Sequence, residues 1–191
     1  MAPFATTDST PSFQPPTTMT PDELGDSLAR LVWESFSDFM SREDVETPIP
    51  DLRPLVESED EEELDGQSAE EALIFFMWAH TRGANQAFAG RAPDGRIRKG
   101  LDALHRAVFE DMVEHGTPEE QLPVFERRVS ARYTEYHMAA DESEDALGEA
   151  VCQHLSGQPE RCADVARAIT ERAIAVASPL RDFLEDVQLV D

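Results

Sequence analysis

The sequence predicts an all-α protein: a single bundle of six to seven helices around one buried central helix at 69–89. Three observations carry this expectation. Apolar residues recur at three- and four-residue spacing through most of the chain. Helix-start signals precede these stretches, at Thr20-Pro21-Asp22-Glu23, Ser68-Ala69-Glu70-Glu71 and Thr117-Pro118-Glu119-Glu120. No segment alternates apolar and polar residues with period two, and no Asn-Gly or Asp-Gly hairpin lies between such segments; Asp94-Gly95 is flanked by helical patterns.

Residues 1–19 are rich in Thr, Ser and Pro without an apolar period, and are expected to form a disordered tail ahead of an all-α domain at 20–191. Thr20 caps a first helix over 21–41, with Pro21 at the first helical position and Leu24, Leu28, Leu31, Val32, Phe36 and Phe39 on its apolar face. An acidic linker follows at 45–67. Pro48, Pro50 and Pro54 exclude a long helix there, and Glu57 to Asp65 holds seven acids in nine residues. The helix beginning at Ser68-Ala69-Glu70-Glu71 contains Ala72 to Ala79, apolar on every side, which requires other helices around it.

Pro93-Asp94-Gly95 makes a turn into a third helix over 96–115, with Ile97, Leu101, Leu104, Val108 and Met112 as its stripe and Gly116 as the residue just past its end. The fourth helix starts at Thr117-Pro118, but Pro123 then either kinks it or delays its start to Leu122. Its stripe is Leu122, Phe125, Val129, Tyr133, Tyr136 and Ala140. Ser143 opens a fifth helix, Pro159 a sixth, and Ser178-Pro179 bends or restarts the chain before a last short helix at Leu180 to Val187.

Forty acids face 16 bases, a net charge of −24, and Lys99 is the single lysine. Such a chain is expected not to bind nucleic acid directly, since a phosphate backbone is held by a basic face. Lysine depletion with retained arginine resembles the proteomes of salt-accumulating microbes, where a Debye length of ~3 Å at molar salt removes repulsion between surface acids. A basic partner or nucleic-acid mimicry would instead require the acids to share one face. The longest apolar run spans eight residues, Ala72 to Ala79, too short for a membrane crossing. With no signal peptide recognisable, a cytoplasmic setting is expected, with Cys152 and Cys162 as two free thiols.

Phosphate loops, nucleophile elbows, His-Glu-x-x-His and Cys-x-x-Cys are all missing from the sequence. Two constellations remain. On a helical wheel, His80 falls about 20° from Leu73, His105 about 40° from Leu101 and His154 about 20° from Leu147. Three histidines thus sit on apolar faces of three helices, and His137 lies at the edge of the fourth stripe. Converging histidines build metal sites in bundles; separate ones are packing residues with hydrogen-bonded rings. The second constellation is basic. Segment 82–106 holds six bases against two acids, and Arg128 and Arg132 lie on the next helix. Arg96, Arg98, Lys99, Arg128 and Arg132 could hold an anion, or pair with the chain's own acids, including the run at 57–65.

The function expected from these residues is non-enzymatic: a cytoplasmic accessory protein binding a protein partner. The alternative is a metal- or small-ligand-binding bundle using His80, His105, His154 and His137. A helix-turn-helix regulator at 143–176 comes third, because Arg161, Arg167 and Arg172 are offset by Glu160, Asp164 and Glu171.

Overall fold

A computed structural model describes residues 17–40, 66–156 and 166–191. The order is β1 (Thr17–Met19), α1 (Pro21–Met40), α2 (Gly66–Phe88), α3 (Asp94–Glu114), α4 (Leu122–Glu142), α5 (Glu144–Ser156), α6 (Ala166–Glu185) and β2 (Val187–Leu189). The six helices among the described residues make the protein an all-α bundle. Residues 1–16 of the tail expected at 1–19, most of the acidic linker, and Cys162 lie outside the described residues, whereas Thr17–Met19 of that tail are a strand.

Every residue from Glu71 to Thr81 on α2 is buried, as a helix apolar on all sides requires. The other helices surround it: α1 and α3 as one close pair, α4, α5 and α6 on its remaining faces. The α1–α3 approach depends on Gly25, where an added Cβ would lie 2.4 Å from Cβ of Ala103 and 2.7 Å from backbone.

Local signals explain four of the helix ends. At α1 the capping box closes in both directions: Glu23 N–H donates to Thr20 Oγ1 (3.3 Å), and Thr20 N–H donates to Glu23 Oε2 (2.8 Å). α3 ends in a Schellman turn. Gly116 takes φ +104°, its N–H reaches the Val113 carbonyl (3.0 Å), and Thr117 N–H reaches that of Met112 (2.9 Å). α4 begins at Leu122 after a single 3₁₀ turn, Glu119–Gln121, so Pro123 sits in the first turn, where no intrahelical N–H is needed. Ser143 caps α5 by accepting from Ala146 N–H (3.1 Å).

Three expectations need correction. Ser68 does not cap α2: the helix already runs from Gly66, and the Ser68 hydroxyl donates across to the Leu155 carbonyl (2.9 Å). Pro179 does not restart the chain: α6 continues through it to Glu185, since the packing of Leu180 and Leu184 outweighs one lost backbone bond. Residues 17–19 and 187–189 form a parallel two-stranded ribbon, pairing Thr17 with Val187 and Met19 with Leu189. Three residues are too few for a period to show in sequence, and the pairing joins opposite ends of the chain. Arg91, in the turn after α2, holds the second strand in place. Its guanidinium donates to the carbonyls of Ala87 (3.0 Å), Leu184 (3.1 Å), Glu185 and Val187 (3.3 Å).

Candidate functional site

A groove of about 1180 Å³ opens between α3 and α4. It exists because α3 packs chiefly on α1 and α4 chiefly on α5, leaving the two backbones apart. Long side chains cross the gap. Helical spacing sorts its lining into rows. His105, Phe109 and Val113 from α3 and Val129, Tyr133 and His137 from α4 form the floor. Asp102, Arg106, Glu110 and Glu114 run along one rim, with Arg106 paired to Asp22 on α1; Glu126 stands on the other rim, and Glu119 closes the end. Phe109 meets Phe125 edge-on, with centroids 5.9 Å apart.

A directed hydrogen-bond chain lies under the groove. His105 Nδ1 is 2.7 Å from the Leu101 carbonyl, which can only accept, so Nδ1 carries the proton. In the neutral ring Nε2 then accepts from the Tyr133 hydroxyl at 3.1 Å. With its proton so used, Tyr133 accepts from Thr81 Oγ1 at 3.3 Å. Burial holds His105 below its ordinary pKa, partly opposed by the Leu101 carbonyl and by Asp102 and Glu126, and burial pushes Tyr133 above the ordinary tyrosine value. The chain Thr81–Tyr133–His105–Leu101 is thus neutral and internally satisfied at pH 7, a rigid polar pin between α2, α3 and α4.

The other histidines have separate surroundings. His137 shares the groove, its ring 5.7 Å from Trp78 and 6.4 Å from Tyr133, and burial followed by the Arg82 charge lowers its pKa. His154 sets Nε2 2.8 Å from Glu135 Oε2. His80 is 3% exposed, and its Nδ1 donates to the Phe76 carbonyl at 2.8 Å. Desolvation lowers its pKa to about 4. Its imidazole lines a different cavity, between α1, α2 and α6. Among the described residues, no three His, Cys, Asp or Glu side chains gather into a set able to hold a metal ion.

Of the five basic residues considered for an anion, Arg96 forks onto Asp191 (2.9 and 2.6 Å), Arg128 pairs with Glu70, and Arg132 forks onto Glu71 (2.9 and 3.0 Å). Arg98 and Lys99 are exposed. In the helix-turn-helix candidate, Arg167 pairs with Glu171 at 3.2 Å, and Arg161 lies outside the described residues.

Sequence reasoning missed Tyr133 as the centre of a network, Arg91 as a clamp, and Glu71 as a buried ion. Glu71 carried a signal, a glutamate three residues after Ser68, but that spacing pointed to a cap rather than to Arg132. Trp78 Nε1 and the Tyr136 hydroxyl, both buried, find no hydrogen-bond partner among the described residues.

No helix among the described residues is long and apolar enough to cross a membrane. Comparison of the chain with protein-family models, curated proteins and solved structures finds no match to any of them, so the groove itself is what a functional reading must start from.

Proposed function

We propose that this is a non-enzymatic cytoplasmic interaction protein whose α3–α4 groove receives an amphipathic, arginine-bearing helix of a partner protein. The observation that carries the reading is the composition of the groove: an apolar and aromatic floor between rims bearing Asp102, Glu110, Glu114 and Glu126, with the one rim arginine, Arg106, already paired to Asp22. A helix laid in such a groove buries its apolar stripe on the floor and turns guanidinium groups to the rim carboxylates. Partly buried pairs of this kind are screened less by salt than open ones. The neutral Thr81–Tyr133–His105 chain suits a stiff floor better than proton transfer.

The wider acidity has a different origin in this reading. Exposed acids occur on α1, α3, α4, α5 and α6, for example Asp26, Glu110, Glu142, Glu149 and Asp182, rather than on one face. That spread supports adaptation to high salt as the source of the net charge. A small-ligand site at His80 alone is a second reading, supported by its separate cavity; His105, His137 and His154 do not share that cavity.

The test is a synthetic amphipathic helix with a leucine stripe and flanking arginines, compared by fluorescence anisotropy with a glutamate-flanked counterpart. The arginine peptide should bind with a Kd on the order of 1–10 µM, about −7 to −8 kcal/mol, and the glutamate peptide should not. Glu114→Arg with Glu126→Arg should weaken binding at least about tenfold, while Asp182→Arg on α6 should not. Equal loss from both changes would reduce the groove to general electrostatic attraction and overturn the reading.

A further inference from the structure

The cavity between α1, α2 and α6 encloses about 420 Å³, within the range of small-molecule sites. Its walls are apolar, with Leu31, Val176 and Leu180 among them, and Ser35, His80 and Arg172 bring polar groups to it. Two of these are unspent. The half-buried arginines Arg82, Arg96, Arg128 and Arg132 each have a carboxylate within 4.0 Å, at Asp141, Asp191, Glu70 and Glu71 respectively. Arg172 is half-buried as well, yet no carboxylate among the described residues pairs with it. Its guanidinium carbon lies 5.9 Å from the Phe76 ring centre instead. In a chain with 40 acids and 16 bases, an unpaired half-buried arginine is out of character. His80, 3% exposed, commits Nδ1–H to the Phe76 carbonyl. Its Nε2 is therefore a bare acceptor, and no described residue donates to it. α6 adds a third group: Pro179 has no N–H to give the Ala175 carbonyl one turn back, and both residues line the cavity.

An apolar chamber with one unpaired guanidinium and nearby acceptors selects a particular chemistry. The guanidinium wants an anion, preferably a planar carboxylate. The walls want an apolar body, and the acceptors want a hydroxyl rather than a second anion. We propose that this cavity binds a small apolar carboxylic acid, its carboxylate on Arg172 and its body against Leu31, Val176 and Leu180, with a hydroxyl substituent on the body donating to His80 Nε2. The site is independent of the α3–α4 groove.

Calorimetric titration of the full chain at pH 7 and low salt tests it, with benzoate, the three monohydroxybenzoates and octanoate as probes and benzyl alcohol and octanol as uncharged matches. At least one acid should bind ten times more tightly than its alcohol, and a hydroxybenzoate should exceed benzoate. Arg172→Gln should erase the preference for the acid. Ala175→Phe, which fills the chamber without touching the charge, should abolish binding of acid and alcohol alike, and it keeps the test open if Arg172→Gln fails to fold. Glu114→Arg in the groove should change none of these values. Acids binding no better than alcohols, or equally well to Arg172→Gln, would overturn the proposal, as would no binding by any probe at millimolar concentration. Binding that appears only after deletion of residues 57–65 would also overturn it, by assigning Arg172 to the chain's own acidic run.

Discussion

Arg132 on α4 forks onto Glu71 on α2 with bonds of 2.9 and 3.0 Å, and the Glu71 side chain is 1% exposed. The central helix therefore carries a buried carboxylate immediately before its eight-residue apolar stretch, and Arg128 stands 4.0 Å from the same carboxylate. Removing one partner of such a pair leaves a charge without compensation, whereas removing both can be close to neutral.

Arg132→Met should lower unfolding stability by about 3 kcal/mol, the lower end for buried pairs because Arg132 keeps some solvent contact. Glu71→Met should cost a similar amount. The double variant should lose clearly less than the sum of the two, measured by urea denaturation. Strict additivity would show that the fork contributes nothing beyond separate packing.

The buried His80 should make stability fall with acid. Its folded pKa is about 4, below the ~6.5 of an unfolded histidine, so the unfolded chain takes up a proton first as pH drops. The contribution is whole above pH ~6.5 and is lost progressively down to about 4, on the order of 3 kcal/mol. His105 and His137 shift in the same direction. Because protonation of carboxylates changes the repulsion over the same range, the readout is the difference between wild type and His80→Gln in urea unfolding at pH 7 and pH 4.5. A difference that does not vary with pH would remove His80 as the cause.

Tyr136→Phe should be neutral or stabilising by up to about 1 kcal/mol, since the hydroxyl is buried without a hydrogen-bond partner among the described residues. Its ring meets Trp78 edge-on at 5.8 Å, a contact that phenylalanine preserves. A loss above 1 kcal/mol in thermal unfolding would reveal a partner for that oxygen.

Thermal stability should climb steeply with KCl into the molar range, because screening relieves the repulsion within a net charge of −24. A Tm that is flat or falling from dilute to molar KCl would contradict a high-salt origin of the acidity.

By itself the sequence determined what depends on residues near one another in the chain. The Thr20–Glu23 box, the left-handed Gly116 turn, the Ser143 cap and the all-round burial of Ala72 to Ala79 all arise within a few residues, where spacing alone specifies geometry; at Pro123 the spacing left a kink or a delayed start open, and the structure shows the delayed start. Tertiary structure decided whatever depends on distant partners. The ribbon of Thr17–Met19 with Val187–Leu189 joins opposite ends of the chain, Arg91 gathers carbonyls from α2, α6 and β2, and Glu71 turns from a supposed cap to Arg132. The histidines mark the same boundary. A helical wheel places His80, His105 and His154 on apolar faces, but the angle between packed helices decides what each ring meets. His105 finds Tyr133 across the groove, His154 finds Glu135, and His80 faces a cavity walled by α1 and α6. A periodicity specifies which face of a helix is buried; it contains no information about which helix covers that face.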